Sequence, residues 1–184
     1  MNGVMRFLSW FRAGRLSGSD LVGQIVEINL GSFYCYGICT HDLGKQGHVL
    51  RMFARKLGKP ADDISKFSSD EPVRMVIHFP LRYAKDEPEI RLIGRRRLSR
   101  IEAKLPKFRS LGLARHDEMP KGWWIIDGDK ETWVDALTHE MAGYSDDGFP
   151  NLEAIKDLYD RDLFPHSPEL LCRGPLAFQM TEKQ

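Results

Sequence analysis

Cysteine is scarce, with three among 184 residues. So sparse and odd a set is the usage of a reduced, cytoplasmic compartment and excludes a disulfide-stapled scaffold. No apolar run approaches the ~20 residues that a membrane-spanning helix needs. Charge of one sign is missing too: 27 Lys and Arg stand against 26 Asp and Glu, leaving a net charge of +1. That balance exerts no global pull toward nucleic acid or an anionic membrane. No P-loop, G-x-S-x-G or G-x-G-x-x-G occurs, so the common nucleotide-binding and acyl-transfer signatures are lacking. The six histidines, His41, His48, His78, His116, His139 and His166, form no H-x-H, H-E-x-x-H or H-x-x-x-H. No helix or strand therefore presents two imidazoles at metal spacing, and no metal or cofactor is expected.

What is present is the composition of a packed domain, 42% hydrophobic and 29% charged, which excludes a disordered chain, a collagen and a coiled coil. The length suits one domain with appendages: an N-terminal helix and linker over 1–20, a domain over 21–165 and a tail over 166–184. Val4, Phe7, Leu8 and Phe11 fall on one side of a helix. Arg6 and Arg12 interrupt any signal-peptide core, and no A-x-A site follows. This helix either packs on the domain or lies on a membrane surface with Arg6, Arg12 and Arg15 toward lipid phosphates.

Strand patterns dominate the middle of the chain. Gln24, Glu27 and Asn29 interleave with Ile25, Val26, Ile28 and Leu30, and after Gly31-Ser32 a second β-rich run covers 33–40. Two such runs joined by Gly-Ser predict a hairpin. Further strands are expected over 49–53, 73–79, 89–93 and 122–126, each bounded by Gly, Pro or charge. Residues 59–63 read as a turn into a short helical or irregular segment. Helical spacing returns at Trp133, Ala136, Leu137 and Met141, predicting a helix over 132–141. A second helix, opened by Pro150-Asn151 and lined by Leu152, Ile155, Leu158 and Tyr159, ends before Pro165. The fold class is α+β: a bent, mostly antiparallel sheet of five to seven strands, or a small barrel-like sheet, with C-terminal helices and an N-terminal helix.

The neutral total hides a division. Residues 91–115 carry nine Lys or Arg against Glu102, and 127–162 carry eleven acids against Lys130, Lys156 and Arg161, local balances of +8 and −8. The two blocks either neutralise each other, sit solvated on the surface, or each face a partner of opposite sign. A nucleic-acid role for 91–115 lacks aromatic interleaving, since Phe108 is the sole aromatic there. Cys35, Cys39 and His41 share the parity of one strand face. At about 3.3 Å per residue, however, the two thiols lie roughly 13 Å apart, which favours two buried small hydrophobes over a zinc site. Trp123 and Trp124 must face opposite sides of a strand, so one enters the core. The other either lies under a helix or stands open beside Asp127 and Asp129 as an interface anchor.

The run Gly23-Gln24-Ile25-Val26-Glu27-Ile28-Asn29-Leu30 followed by Tyr34-x-Tyr36-Gly37 resembles the opening of the immunity protein 26 family of bacterial polymorphic-toxin systems. Gly122-Trp123-Trp124-Ile125-Ile126-Asp127-Gly128 is similar to that family's tryptophan strand, and the helix over 150–159 to its closing helix. The likeness spans roughly 23–165, with Gln24 in place of the usual acidic residue. It implies a cytoplasmic binding protein that neutralises a cognate toxin by occlusion and has no chemistry of its own. The expected surface is Trp124 with Asp127, Asp129, Asp135, Asp146 and Asp147, set against a basic toxin site. Some relatives carry a phosphotriesterase label, which implies a metal-dependent hydrolase of organophosphates. The scattered histidines speak against it. A nucleic-acid binder working through 91–115 is the third reading.

Overall fold

The structure is a computed structural model, and residues 18–112 and 122–160 are described. The predicted N-terminal helix and the tail over 166–184 lie outside them. By its internal contacts the chain divides into two compact units, Met1–Ala103 and Lys104–Gln184, so the span read as one domain holds parts of both.

The first unit is built on a five-stranded antiparallel sheet. A 3-10 turn, Gly18–Leu21, leads into β1, Gln24–Asn29, and β2, Tyr34–Asp42. Strand β3, His48–Leu57, and β4, Val73–Phe79, follow, then a one-turn helix α1, Leu81–Ala84, and β5, Ile90–Arg95. The order β4-β3-β2-β1-β5 puts β1 and β2 inside the sheet and leaves β4 and β5 as its edges, so this sheet is open and not barrel-like. The predicted Gly-Ser hairpin is present. Leu30 N–H bonds the Phe33 carbonyl at 2.9 Å, and Gly31 holds φ +83, which glycine reaches without steric penalty.

Strands β1 and β2 are buried on both faces, so residues of either parity are covered and the period-2 alternation of a half-exposed strand is blurred. On one face Ile25, Tyr36, Ile38 and Phe53 pack against Ala61 and Phe67 of the β3–β4 connection. The Phe67 ring stacks on Tyr36 at 4.6 Å and on Phe53 at 5.7 Å between centroids. Residues 58–68, which hold the turn expected over 59–63, thus form the lid of this core, with a 3-10 turn at Ile64–Lys66. Past β5 the backbone coils rather than pairs: Glu102 takes the Ser99 N–H, and Ala103 N–H bonds the Ser99 carbonyl.

The second unit carries a four-stranded mixed sheet. Strands β6, Phe108–Leu111, β7, Trp123–Asp127, and β8, Lys130–Val134, are followed by helix α2, His139–Ala142, strand β9, Ser145–Asp146, and helix α3, Leu152–Asp160. The order is β8-β7-β6-β9, with β6 and β9 parallel. The α+β class and the mostly antiparallel pairing follow the expectation; the strands occupy two sheets instead of one.

The helix expected over 132–141 is a correction. Its first part is β8, and only His139–Ala142 is helical, capped by the Thr138 hydroxyl, which accepts from Met141 N–H at 3.2 Å. Thr132, Trp133 and Val134 are β-formers that alternate, and Gly128 at φ +62 closes a tight turn after Asp127. Over so short a stretch both periods fit, and the turn decides for the strand. The helix opened by Pro150 is present as α3, with Ile155, Leu158 and Tyr159 buried.

Candidate functional site

The outer face of the β7–β8 hairpin gathers aromatic and acidic side chains. Cross-strand partners share a face, so Trp124 opposite Trp133 and Ile126 opposite Glu131 all point one way. Trp123 and Ile125 point the other way, into a core with Leu137 and Ala142. The two indoles of the sequence thus part as strand geometry requires: Trp123 is 3% exposed and Trp124 is 39% exposed. Trp124 meets Trp133, itself 41% exposed, in an edge-to-face contact at 5.2 Å and 70°.

Trp133 is held from three sides. Its indole N–H donates to Asp135 Oδ1 at 2.9 Å. Its ring lies on the backbones of Gly112 and Gly122, where a Cβ on Gly122 would come within 2.6 Å of Cζ2 and one on Gly112 would overlap the six-membered ring. Two glycines facing each other, bonded through Gly112 N–H and the Gly122 carbonyl at 3.0 Å, make a flat bed that no other residue provides. The third side is the Trp124 ring. A ring so fixed loses little rotamer freedom when a partner covers it.

The acidic residues expected to accompany Trp124 do not form one surface. Asp127 ends β7 and pairs with Lys107 at 3.3 Å. Asp129 sits exposed in the turn, and Asp135 holds the Trp133 indole. Asp146 is turned to the buried Arg109, whose Nε lies 2.8 Å from Oδ1. Burial raises the Asp146 carboxyl above the usual carboxylate range even though Arg109 pulls it down. Asp147 is exposed, and its backbone N–H bonds the Arg109 carbonyl at 2.7 Å. Trp124, Asp135 and the unforeseen Trp133 and Glu131 therefore meet on one face. Asp146 belongs to a different contact.

The basic block is largely occupied within the chain. Arg91 binds Glu27 at 2.8 Å, and Arg95 donates to the Val22 carbonyl at 3.1 Å. Arg96 grips Glu102 at 2.6 Å. Burial alone would raise the Glu102 carboxyl, but the bonds from Arg96 and Ser99 outweigh it and hold it below the ordinary range. Arg109 is fully buried; it also donates to the Ala142 carbonyl and lies 5.9 Å over the Trp123 ring. Through Lys107–Asp127 and Arg109–Asp146 the basic and acidic blocks meet inside the second unit.

The polar groups buried in the first unit serve the fold. Glu27, 3% exposed, accepts from the Tyr36 hydroxyl and the Ala61 N–H, each at 2.9 Å, and pairs with Arg91. Tyr36, Glu27 and Arg91 sit side by side across β2, β1 and β5. Glu27 thereby pins the lid segment at Ala61 onto the sheet. Burial and the Glu27 carboxylate push the Tyr36 hydroxyl far above its ordinary value, so it stays a donor.

Cys35 and Cys39 are buried, as expected, and burial pushes the Cys39 thiol up to about 12, far from a reactive thiolate. His48 and His78 lie on adjacent strands but on opposite faces, because His48 opposes Phe79 and Val49 opposes His78. Among the described residues no group of three or more His, Cys, Asp or Glu is placed to hold a metal ion. His116, His166 and Cys172 lie outside the described residues.

Sequence reasoning missed Trp133 by placing it on a helix. The signal that finds it is the Asp127-Gly128 turn followed by alternating Glu131, Thr132, Trp133 and Val134. It missed Glu27 and Arg109 as buried ion-pair members because nothing local marks a charge for burial. Compared with known protein families, curated proteins and solved structures, the chain matches none.

Proposed function

We propose that this chain is an immunity-type binding protein of the bacterial cytoplasm. It neutralises a cognate toxin by covering the toxin's active surface and performs no chemistry itself. The docking face is the outer side of the β7–β8 hairpin. One observation carries the reading: Trp124 and Trp133 stand 39% and 41% exposed, locked against each other amid carboxylates. Exposed, preorganised tryptophans are what interface hot spots are made of, and they are rarely left open on a surface with no partner. The resemblance of 23–165 to the immunity protein 26 family supports the same reading.

The nucleic-acid reading weakens because Arg91, Arg96, Lys107 and Arg109 each hold an internal carboxylate. Identifying the neighbouring gene and co-expressing this chain with the toxin domain expected there tests the proposal. Cells survive with the native chain and arrest with Trp124→Ala/Trp133→Ala, provided the variant accumulates and folds normally. If the native chain gives no protection but turns over an activated phosphotriester, the hydrolase reading replaces this one.

A further inference from the structure

The hairpin face has a chemistry of its own that narrows what binds there. Trp133 rests one ring face on Gly112 and Gly122 and is 41% exposed on the remainder. Trp124 meets it at 5.2 Å and 70°, so the open surface is that of one indole walled by another. Among the described residues, the charged groups that the register and the indole bond place beside it are acids. Glu131 is two residues before Trp133 on β8, and Asp135 is bonded to the indole N–H itself. Neither Glu131 nor Asp129 has an ion pair among the described residues, whereas Asp127 and Asp146 are neutralised by Lys107 and Arg109.

Three kinds of occupant compete for such a surface. An apolar partner side chain would bury Glu131 and Asp135 without compensation, a costly desolvation. A second copy docked face to face would bring the same acids against themselves. A cation satisfies both components at once, lying over the indole face while its donors reach the rim carboxylates. Of the two cationic side chains, the planar guanidinium stacks on an aromatic face and also offers a carboxylate two parallel donors.

We infer that the Trp124–Trp133 pair is the seat for an arginine side chain projecting from the protein partner, with Glu131 as its counter-charge. The inference rests on the protein-binding reading and specifies the side chain that reading left open. It also explains why Asp135 takes the Trp133 indole N–H. That bond turns the ring to lie flat on its glycine bed and sets negative charge at its rim.

The test needs no toxin. The full chain is labelled with nitrogen-15 and titrated with a capped tripeptide carrying arginine between glycines, and separately with its uncharged citrulline counterpart. The Trp124 and Trp133 indole resonances shift saturably with the arginine probe at millimolar concentration, the shift shrinks as salt is added, and citrulline moves neither. Glu131→Gln weakens the arginine response by about threefold, as expected for one exposed charge pair, and leaves the spectrum otherwise native. Trp133→Leu abolishes the response at Trp124.

Equal shifts with citrulline, or an arginine response unchanged in both variants, overturns the seat. So do indole shifts that depend on protein concentration with no probe present, which assign the face to self-association. The growth assay separates the two failures. Protection by the native chain that withstands Glu131→Gln, with no arginine response, removes the seat and keeps the binding reading. Absence of protection removes the binding reading whatever the titration gives.

Discussion

In the first unit Ile25, Val26, Ile28, Tyr36, Ile38, Leu50, Met52 and Phe53 are wholly buried, and so are nearly all of Glu27 and His48. In the second, one core cluster is Trp123, Ile125, Leu137 and Ala142, with Phe108 and Ile155 also buried, while two of its three described tryptophans stand open. The difference lies in how many faces each sheet covers. The central strands of the first are packed on both sides, so even their polar residues are drawn inside and must find partners there. The hairpin of the second keeps Trp124, Trp133 and Glu131 open on its outer face, although Phe108 of the neighbouring β6 is buried on that side, and these three are available for recognition. Charge follows the same division: the first unit uses Glu27 to fasten a lid, and the second displays Asp129, Glu131 and Asp135.

The largest test of this contrast is Phe53→Ala. It removes a ring stacked between core strands and lid, and is expected to cost about 3–5 kcal/mol. Trp123, Trp124 and Trp133 lie in the second unit and Trp10 in the first, so in a Trp10→Phe background indole fluorescence follows the second unit while far-ultraviolet dichroism follows both. Under urea the dichroism midpoint falls sharply and the fluorescence midpoint holds. A common shift of both would erase the division.

Asp146→Ala comes next. It strands the buried Arg109 guanidinium and costs about 3 kcal/mol, the low end for a broken buried pair because Asp146 reaches solvent. Arg109→Met, which removes the charge along with its need for a partner, costs less, and fluorescence-detected unfolding orders the two.

A smaller effect separates the units by pH. His48 is buried beside Asp42 at 3.8 Å, and neither ring nitrogen has a hydrogen bond. Burial lowers its pKa, Asp42 acts against that, and Arg82 reinforces it. The unfolded chain then binds the proton more readily than the folded one, so stability rises with pH across this window. The contribution is complete above the ordinary histidine value of about 6.5 and is lost as the pH falls toward the lowered one. Melting of the first unit declines on acidification below about pH 6.5, with His41, also lowered by burial, adding to the slope. His48→Phe flattens it without loss at neutral pH. An unchanged slope assigns the acid sensitivity elsewhere.

The smallest expected effect is on stability at the open tryptophan. Trp124→Ala changes unfolding free energy by less than about 1 kcal/mol, since surface positions contribute little, yet it removes binding. A large drop in urea midpoint for Trp124→Ala would place that ring in the fold's own packing and not in recognition.

Much of the framework was legible along the chain. The Gly31-Ser32 hairpin, the strand Val73–Phe79 and the strand holding Trp123 and Trp124 follow from local alternation and turn chemistry. So does the helix after Pro150. Local rules fail where two periods fit the same few residues, as between 132 and 141. They also fail at β6 and β9, whose four and two residues are too few to show a pattern.

Alternation, turns and caps act between residues close in sequence, so the chain by itself determined the class, most strand positions, the burial of Cys35 and Cys39 and the parting of the two adjacent indoles. Which charges are used up and which are displayed depends on partners far along the chain. Arg91 meets Glu27, Arg109 meets Asp146, and Trp133 finds its bed on Gly112 and Gly122 only when strands pair. Those pairings exist once backbone hydrogen bonds set the register, and register is a property of the folded sheet.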